Sequence, residues 1–116
     1  MAITIVANLV AAPNPAKLPM RVEFTQTLKS TLAEDKVLVR YSMSAAHNVW
    51  FEDADDKLVK KITREETIGT APQVCVDRLQ MTTGPGTGGM LTVEVQQAIR
   101  DSQGNVLPDL VVVQLA

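Results

Sequence analysis

A catalytic centre in this chain would have to use His47 and Cys75, because each is the only residue of its kind. A cysteine attacks as the thiolate and needs a base or a cation beside it. The only imidazole that could serve is His47. It stands in Ala45-Ala46-His47-Asn48, which reads as a turn between strands, and no Gly-x-Ser-x-Gly elbow lies near it. Cys75 alternates with Val74 and Val76, the setting of a buried, inert thiol. Both residues read as structural, so the chain is expected to be non-enzymatic and to carry no cofactor.

Metal and phosphate chemistry have one candidate stretch each. Asp53, Asp55 and Asp56 gather carboxylate oxygens, the ligands that calcium takes. The EF-hand pattern fails, since Leu58 stands where its glycine belongs and Arg64 where its bidentate glutamate belongs. The expectation is an acidic hairpin turn beside Lys57, Lys60 and Lys61, with a looser calcium site as the alternative. Gly84-Pro85-Gly86-Thr87-Gly88-Gly89 is rich in glycine, but a phosphate loop needs Gly-Lys-Ser/Thr and a helix after it. Here a strand pattern follows and no lysine is present. A mobile connecting loop fits better, with a loop that orders only against a neighbouring subunit as the variant that makes Gly86 and Gly88 candidate contacts.

The bulk composition narrows the classes further. A chain of 116 residues is one ordinary domain, 1–116, and 46 % hydrophobic residues supply a core. The aromatics are only Phe24, Tyr41, Trp50 and Phe51, so the core must be mostly Val, Leu, Ile and Met. Net charge is −2 and the signs are mixed along the chain, which gives nucleic acid no electrostatic footprint. One cysteine allows no intrachain disulfide. The first residues lack the basic region of a signal peptide, and their apolar run is too short to span a membrane. A cytoplasmic product or a virion component is expected, with no membrane partner.

The elements that would position these residues are strands. Ala2 to Val10 is rich in β-branched residues, and Ala11 to Pro19 breaks it with Pro13, Pro15 and Pro19. From Met20, Met20, Val22, Phe24 and Leu28 share one face; a helix spaced on Phe24, Leu28 and Leu32 is the rival. Val37, Val39, Tyr41 and Met43 alternate clearly after a polar turn, and Val49 to Glu52 is a short strand. Lys57 to Ile68 is read as a strand, with one short helix as the alternative, capped by Asp55 and Gly69. Glu65 and Glu66 would oppose the dipole of such a helix. Val74 to Met81 alternates again.

The chain ends on its plainest pattern. Leu91, Val93, Val95, Gln97 and Ile99 fall on one face, Thr92, Glu94, Gln96 and Ala98 on the other. Asp101 to Asn105 supplies turn chemistry, and a second apolar run starts at Val106. Over Leu91 to Val113 the chain resembles bacterial and phage immunoglobulin-like domains, which often close with an alternating strand, an Asp-x-x-Gly-Asn turn and a final strand. The resemblance implies an all-β, antiparallel, immunoglobulin-like β-sandwich of about seven or eight strands. The antibody hallmarks are missing: no cysteine pair can bridge the sheets, and Trp50 follows the Val37 to Met43 strand rather than lying inside it.

Leu110-Val111-Val112-Val113 departs from the sandwich pattern. A strand in two layers should be apolar on one face, and four apolar residues in a row place two on the outer face. A buried second face would explain it, but the sequence offers little helix for a cover. The preferred reading is a surface between subunits formed by Leu110, Val111, Val112, Val113 and Leu115, with Trp50 and Phe51 as an aromatic anchor. The expected function is a structural or assembly subunit, of a phage virion or similar bacterial structure, that acts through protein–protein contacts as a homo-oligomer or larger assembly. The alternative is a carbohydrate- or calcium-binding module using Trp50, Phe51 and the Asp53 to Asp56 turn.

Overall fold

In the computed structural model, which describes residues 2–45, 47–84 and 91–115, the alternation becomes two facing antiparallel sheets. The strands are β1 (Ile3–Ala12), β2 (Met20–Ser30), β3 (Asp35–Met43), β4 (Val49–Glu52), β5 (Leu58–Val59), β6 (Lys61–Ile68), β7 (Gln73–Thr83), β8 (Thr92–Arg100) and β9 (Val106–Gln114). The first sheet has the order β1-β2-β7-β4-β5, the second β6-β3-β8-β9. The inward residues of both join in one core, with Phe24, Tyr41 and Phe51 among the largest buried side chains. Phe24 meets Tyr41 across the sheets, ring centres 5.3 Å apart.

Among the described residues nine strands stand where seven or eight were expected, because the Lys57 to Ile68 stretch divides. Leu58 and Val59 pair with Glu52 and Phe51 in the first sheet. From Lys61 the same stretch pairs with β3 in the second. Lys60 sits at the change of sheet, and its carbonyl accepts the Met43 N–H at 3.0 Å. The helix alternatives over Lys57 to Ile68 and around Phe24 to Leu32 are therefore corrected: neither stretch is helical. Leu58 and Val59 serve one sheet and Ile62 the other, so their spacing is not a helical stripe.

The strand order does not reproduce an immunoglobulin domain strand for strand. β1-β2-β7-β4 and β3-β8-β9 could be laid on the ABED and CFG sheets. However, β5 and β6 enter the chain between β4 and β7, whereas variable domains add their extra strands directly after the C strand.

The acidic turn and the closing turn are the same structure. Asp53 Oδ1 accepts the N–H groups of Asp55 and Lys57, both at 2.9 Å. Asp101 Oδ1 accepts those of Gln103 and Asn105, also at 2.9 Å. In each turn the fourth residue has positive φ, 59° at Asp56 and 84° at Gly104. Glycine adopts that region freely, and aspartate, although among the residues that reach it most readily, does so at some cost. Asp56→Gly is therefore expected to stabilise the fold by about 0.5–1 kcal/mol, read as a higher urea midpoint at unchanged m-value.

Candidate functional site

The outer face of the second sheet carries the apolar excess. In β9 the even residues point outward and the odd ones inward. Val106, Leu110 and Val112 are 45 %, 47 % and 43 % exposed, and Pro108 is exposed between them. The register ties this line to its neighbours: Val106 lies beside Arg100 and Leu38, Pro108 beside Ala98 and Arg40, Leu110 beside Gln96 and Ser42, Val112 beside Glu94. Small Ala98 leaves an open hollow of about 260 Å³ bounded by Leu38, Arg40, Thr63, Arg100 and Val106.

Not all of the expected contact residues reach this surface. Val113 and Leu115 are buried, and Val111 is half-buried on the inner side. They are core, because the alternation sends every second residue between the sheets. Phe51 is likewise fully buried, while its neighbour Trp50 is half-buried on the opposite side of β4. Gly86 and Gly88 lie outside the described residues. Gly84, at the start of that stretch, packs so closely on Asn48 that a Cβ would run into the Asn48 side chain.

β9 is an edge strand, and its edge is tied off by side chains. The Asn14 amide donates to the Val112 carbonyl at 2.9 Å, and its oxygen accepts the Gln114 N–H at 2.9 Å. Ala16 N–H then donates to the Gln114 carbonyl at 2.7 Å. Pro108 has no N–H to offer, and the Leu110 N–H is taken by Asp109 Oδ1 at 2.8 Å. These are the devices that stop an edge from recruiting another strand. What β9 offers is its outer side-chain face rather than its backbone.

A polar layer inside the sandwich holds β9 in this position. Asp109 Oδ2 accepts the Leu9 N–H at 2.9 Å and the Gln26 amide at 3.1 Å. Gln26 and Gln97 face each other across the sheets and exchange two bonds of 2.8 Å. Tyr41, which also bonds Gln97, donates its hydroxyl to Asp77 Oδ2 at 2.5 Å. Burial and Asp77 hold the Tyr41 phenol far above its usual range. Burial, then the charge and hydrogen bond of Asp77, raise the Glu66 carboxyl. Burial, then Glu66 and Asp77, push the Cys75 thiol up to about 11. That is the opposite of what a nucleophile needs. Among the described residues, every buried side-chain nitrogen and oxygen has a partner. Sequence reading missed this layer, although its signal was present: Gln26, Asp77, Gln97 and Asp109 all stand in the inward phase of otherwise apolar strands.

The remaining candidates are accounted for locally. Cys75 pairs in register with Gln26 near one end of β7, whereas Val49, two residues after His47, pairs with Thr83 at the other. Eight residues of strand, about 27 Å, separate those positions, so thiol and imidazole form no dyad. The Lys60 ammonium lies 4.0 Å from the centre of the Trp50 ring and donates to the His47 and Val49 carbonyls, both at 2.5 Å. One face of Trp50 is thereby occupied, and burial lowers the Lys60 ammonium from its usual range. Among the described residues no cluster of His, Cys, Asp or Glu is arranged to hold a metal, and no helix is long and apolar enough to cross a membrane. An open polar hollow of about 520 Å³ lies between Arg21, Arg64, Arg78, Glu52, Asp56 and Gln80. Its Arg78 already pairs with Glu23 at 3.0 Å.

The first sheet has an outer apolar patch of its own. Val10, Thr25 and Val76 stand in one row across β1, β2 and β7, and Ala7, Thr27 and Val74 in the next. Val10 and Val74 are 56 % and 64 % exposed.

No family model matches the chain, and comparison with curated proteins finds no match either.

Proposed function

We propose that this protein is a non-enzymatic assembly subunit that works by packing its sheet faces against other protein subunits, copies of itself among them. The observation that carries the reading is the outer face of β9. Val106, Pro108, Leu110 and Val112 form an unbroken apolar line on a strand whose hydrogen-bonding edge is capped at Leu110, Val112 and Gln114. Side chains of this kind gain from being covered, at about 25 cal/mol per Å² of apolar surface. The capped edge directs that gain to face-to-face packing instead of open-ended strand addition. A second apolar patch, on the far side of the sandwich, gives a subunit two directions in which to pack. That suits a larger assembly better than an isolated binding module. The setting in a phage virion or similar bacterial structure follows only from the resemblance of the closing hairpin.

The carbohydrate- or calcium-binding alternative has less behind it. Trp50 has a cation over one face, and Asp53 spends a carboxylate oxygen on two backbone N–H groups.

Light scattering over a hundredfold range of concentration tests the reading. The wild-type chain is expected to form an oligomer, and the double variant Leu110→Glu, Val112→Glu to remain monomeric with an unchanged circular dichroism spectrum. Both side chains are exposed, so their replacement leaves the core intact. A wild-type chain that is monomeric throughout overturns self-assembly.

A further inference from the structure

We infer, on the assembly reading above, that the acidic β4–β5 hairpin of one copy of the chain seats in the arginine-bounded hollow on the second sheet of the next, so that copies join head to tail. The outer face of that sheet is basic as well as apolar. Its outward charged residues are Lys36 and Arg40 on β3, Lys61 and Glu65 on β6, and Glu94 and Arg100 on β8, all exposed. Cations outnumber carboxylates, and a surplus of this kind disfavours a copy of the same face and favours an acidic partner.

The two arginines are placed to hold one carboxylate. Arg40 pairs in register with Ala98 and Arg100 with Leu38, so they are diagonal neighbours on adjacent strands, about 7–8 Å apart. Both border the hollow of about 260 Å³ that small Ala98 leaves open. Among the described residues the ion pair joins Arg78 and Glu23, and neither Arg40 nor Arg100 takes part in it. A guanidinium meets a carboxylate through two parallel hydrogen bonds, which fix its direction as well as its distance.

The hairpin supplies the carboxylates. Glu52, Asp53, Asp55 and Asp56 fall within five residues, with the exposed Lys57 after them. Asp53 is spent on the turn, and Asp55 and Asp56 stand exposed at its tip. Leu58 follows and is 53 % exposed, an apolar residue beside the acids. It lies two residues from Asp56, about 7 Å of extended chain, and the β9 line lies one strand, about 4.8 Å, from Ala98. A carboxylate seated between Arg40 and Arg100 therefore brings Leu58 within reach of Val106 and Pro108. The contact joins two different patches, so it is heterologous, and its repetition makes a ring or an open filament.

Two variants separate the halves of the contact. Arg40→Ala, Arg100→Ala removes the charges of the hollow and leaves the hairpin; Asp55→Asn, Asp56→Asn does the reverse. All four side chains are exposed, and asparagine tolerates the positive φ of position 56. Each variant alone is expected to weaken self-association in light scattering by about tenfold or more, with the melting temperature at low concentration unchanged. In an equimolar mixture the intact hairpin of the first variant fits the intact hollow of the second, once per pair. Native mass spectrometry is then expected to show mixed dimers and nothing longer, where wild type shows longer species. Variants that assemble like wild type, a mixture that stays monomeric, or a wild type that stops at the dimer would each overturn the head-to-tail contact. The assembly reading survives those results if Leu110→Glu, Val112→Glu still dissociates the wild-type oligomer. A monomeric wild type removes both.

Discussion

Replacing Phe51 with alanine is expected to remove about 3–5 kcal/mol of folding stability, whereas Trp50→Ala should cost about 1 kcal/mol or less. The two residues are adjacent in a four-residue strand, yet the pleat sends them to opposite sides. Phe51 has no exposed surface and lies among the largest buried side chains. Truncating it removes apolar burial and leaves a cavity that the sheets can close only in part. Trp50 loses a cation–π contact with Lys60 and one bond from its indole N–H to Asn48 at 3.3 Å, both near the surface. Total stability of a domain this size is about 5–15 kcal/mol, so the Phe51 variant should show a clearly lowered urea midpoint at unchanged m-value. Near-equal losses for the two variants would contradict the alternation on which the whole register of β4 depends. The same experiment separates core from contact: a residue whose truncation costs several kcal/mol in the monomer is holding the fold.

The adjacent pair also shows what could be read in advance. Alternation alone located most of the strands, and it split Leu91 to Ile99 into the two faces that β8 has. It also marked Leu110 to Val113 as carrying two outward apolar residues, and these are Leu110 and Val112. What alternation could not say was which face of a short aromatic strand turns inward, so Phe51 was set beside Trp50 as a surface anchor. Nor could it locate the change of sheet at Lys60. No proline or glycine marks that point; it is fixed by the Met43 N–H bond to the Lys60 carbonyl and by the ammonium held on two backbone carbonyls. Asn14 had no local signal either, because its partners on β9 are about a hundred residues away in the chain. Long-range pairing is decided by the packed fold, and the segment that carries it reads locally as a proline-rich loop.

The second large effect belongs to the polar layer, and it is a test of cooperation rather than of a single contact. Gln97→Leu is expected to destabilise the protein by about 2–3 kcal/mol, and Gln26→Leu by a similar amount. Each single change leaves the opposite amide buried without its reciprocal partner, in surroundings where desolvation is not repaid. Gln97→Leu also withdraws a bond from the Tyr41 oxygen, and Gln26→Leu withdraws one from Asp109. In the double variant the two amides vanish together and two apolar side chains of similar size meet across the sheets. Asp109 keeps the Leu9 N–H, and Tyr41 keeps Asp77. The double variant should therefore be destabilised by less than the sum of the singles, by at least about 1 kcal/mol in a thermodynamic cycle. Additive losses would mean that the amides act independently and that the two 2.8 Å bonds contribute little. A strong coupling would locate part of the specificity of sheet-on-sheet register in this pair. Gln97 pairs with Asp109 in the β8–β9 register, so the layer that fixes the inner register also sets where the β9 apolar line is presented. A prediction follows from that link. The double variant, even if nearly as stable as wild type, should hold β9 less firmly through Asp109, and its self-association should fall although no contact residue has changed.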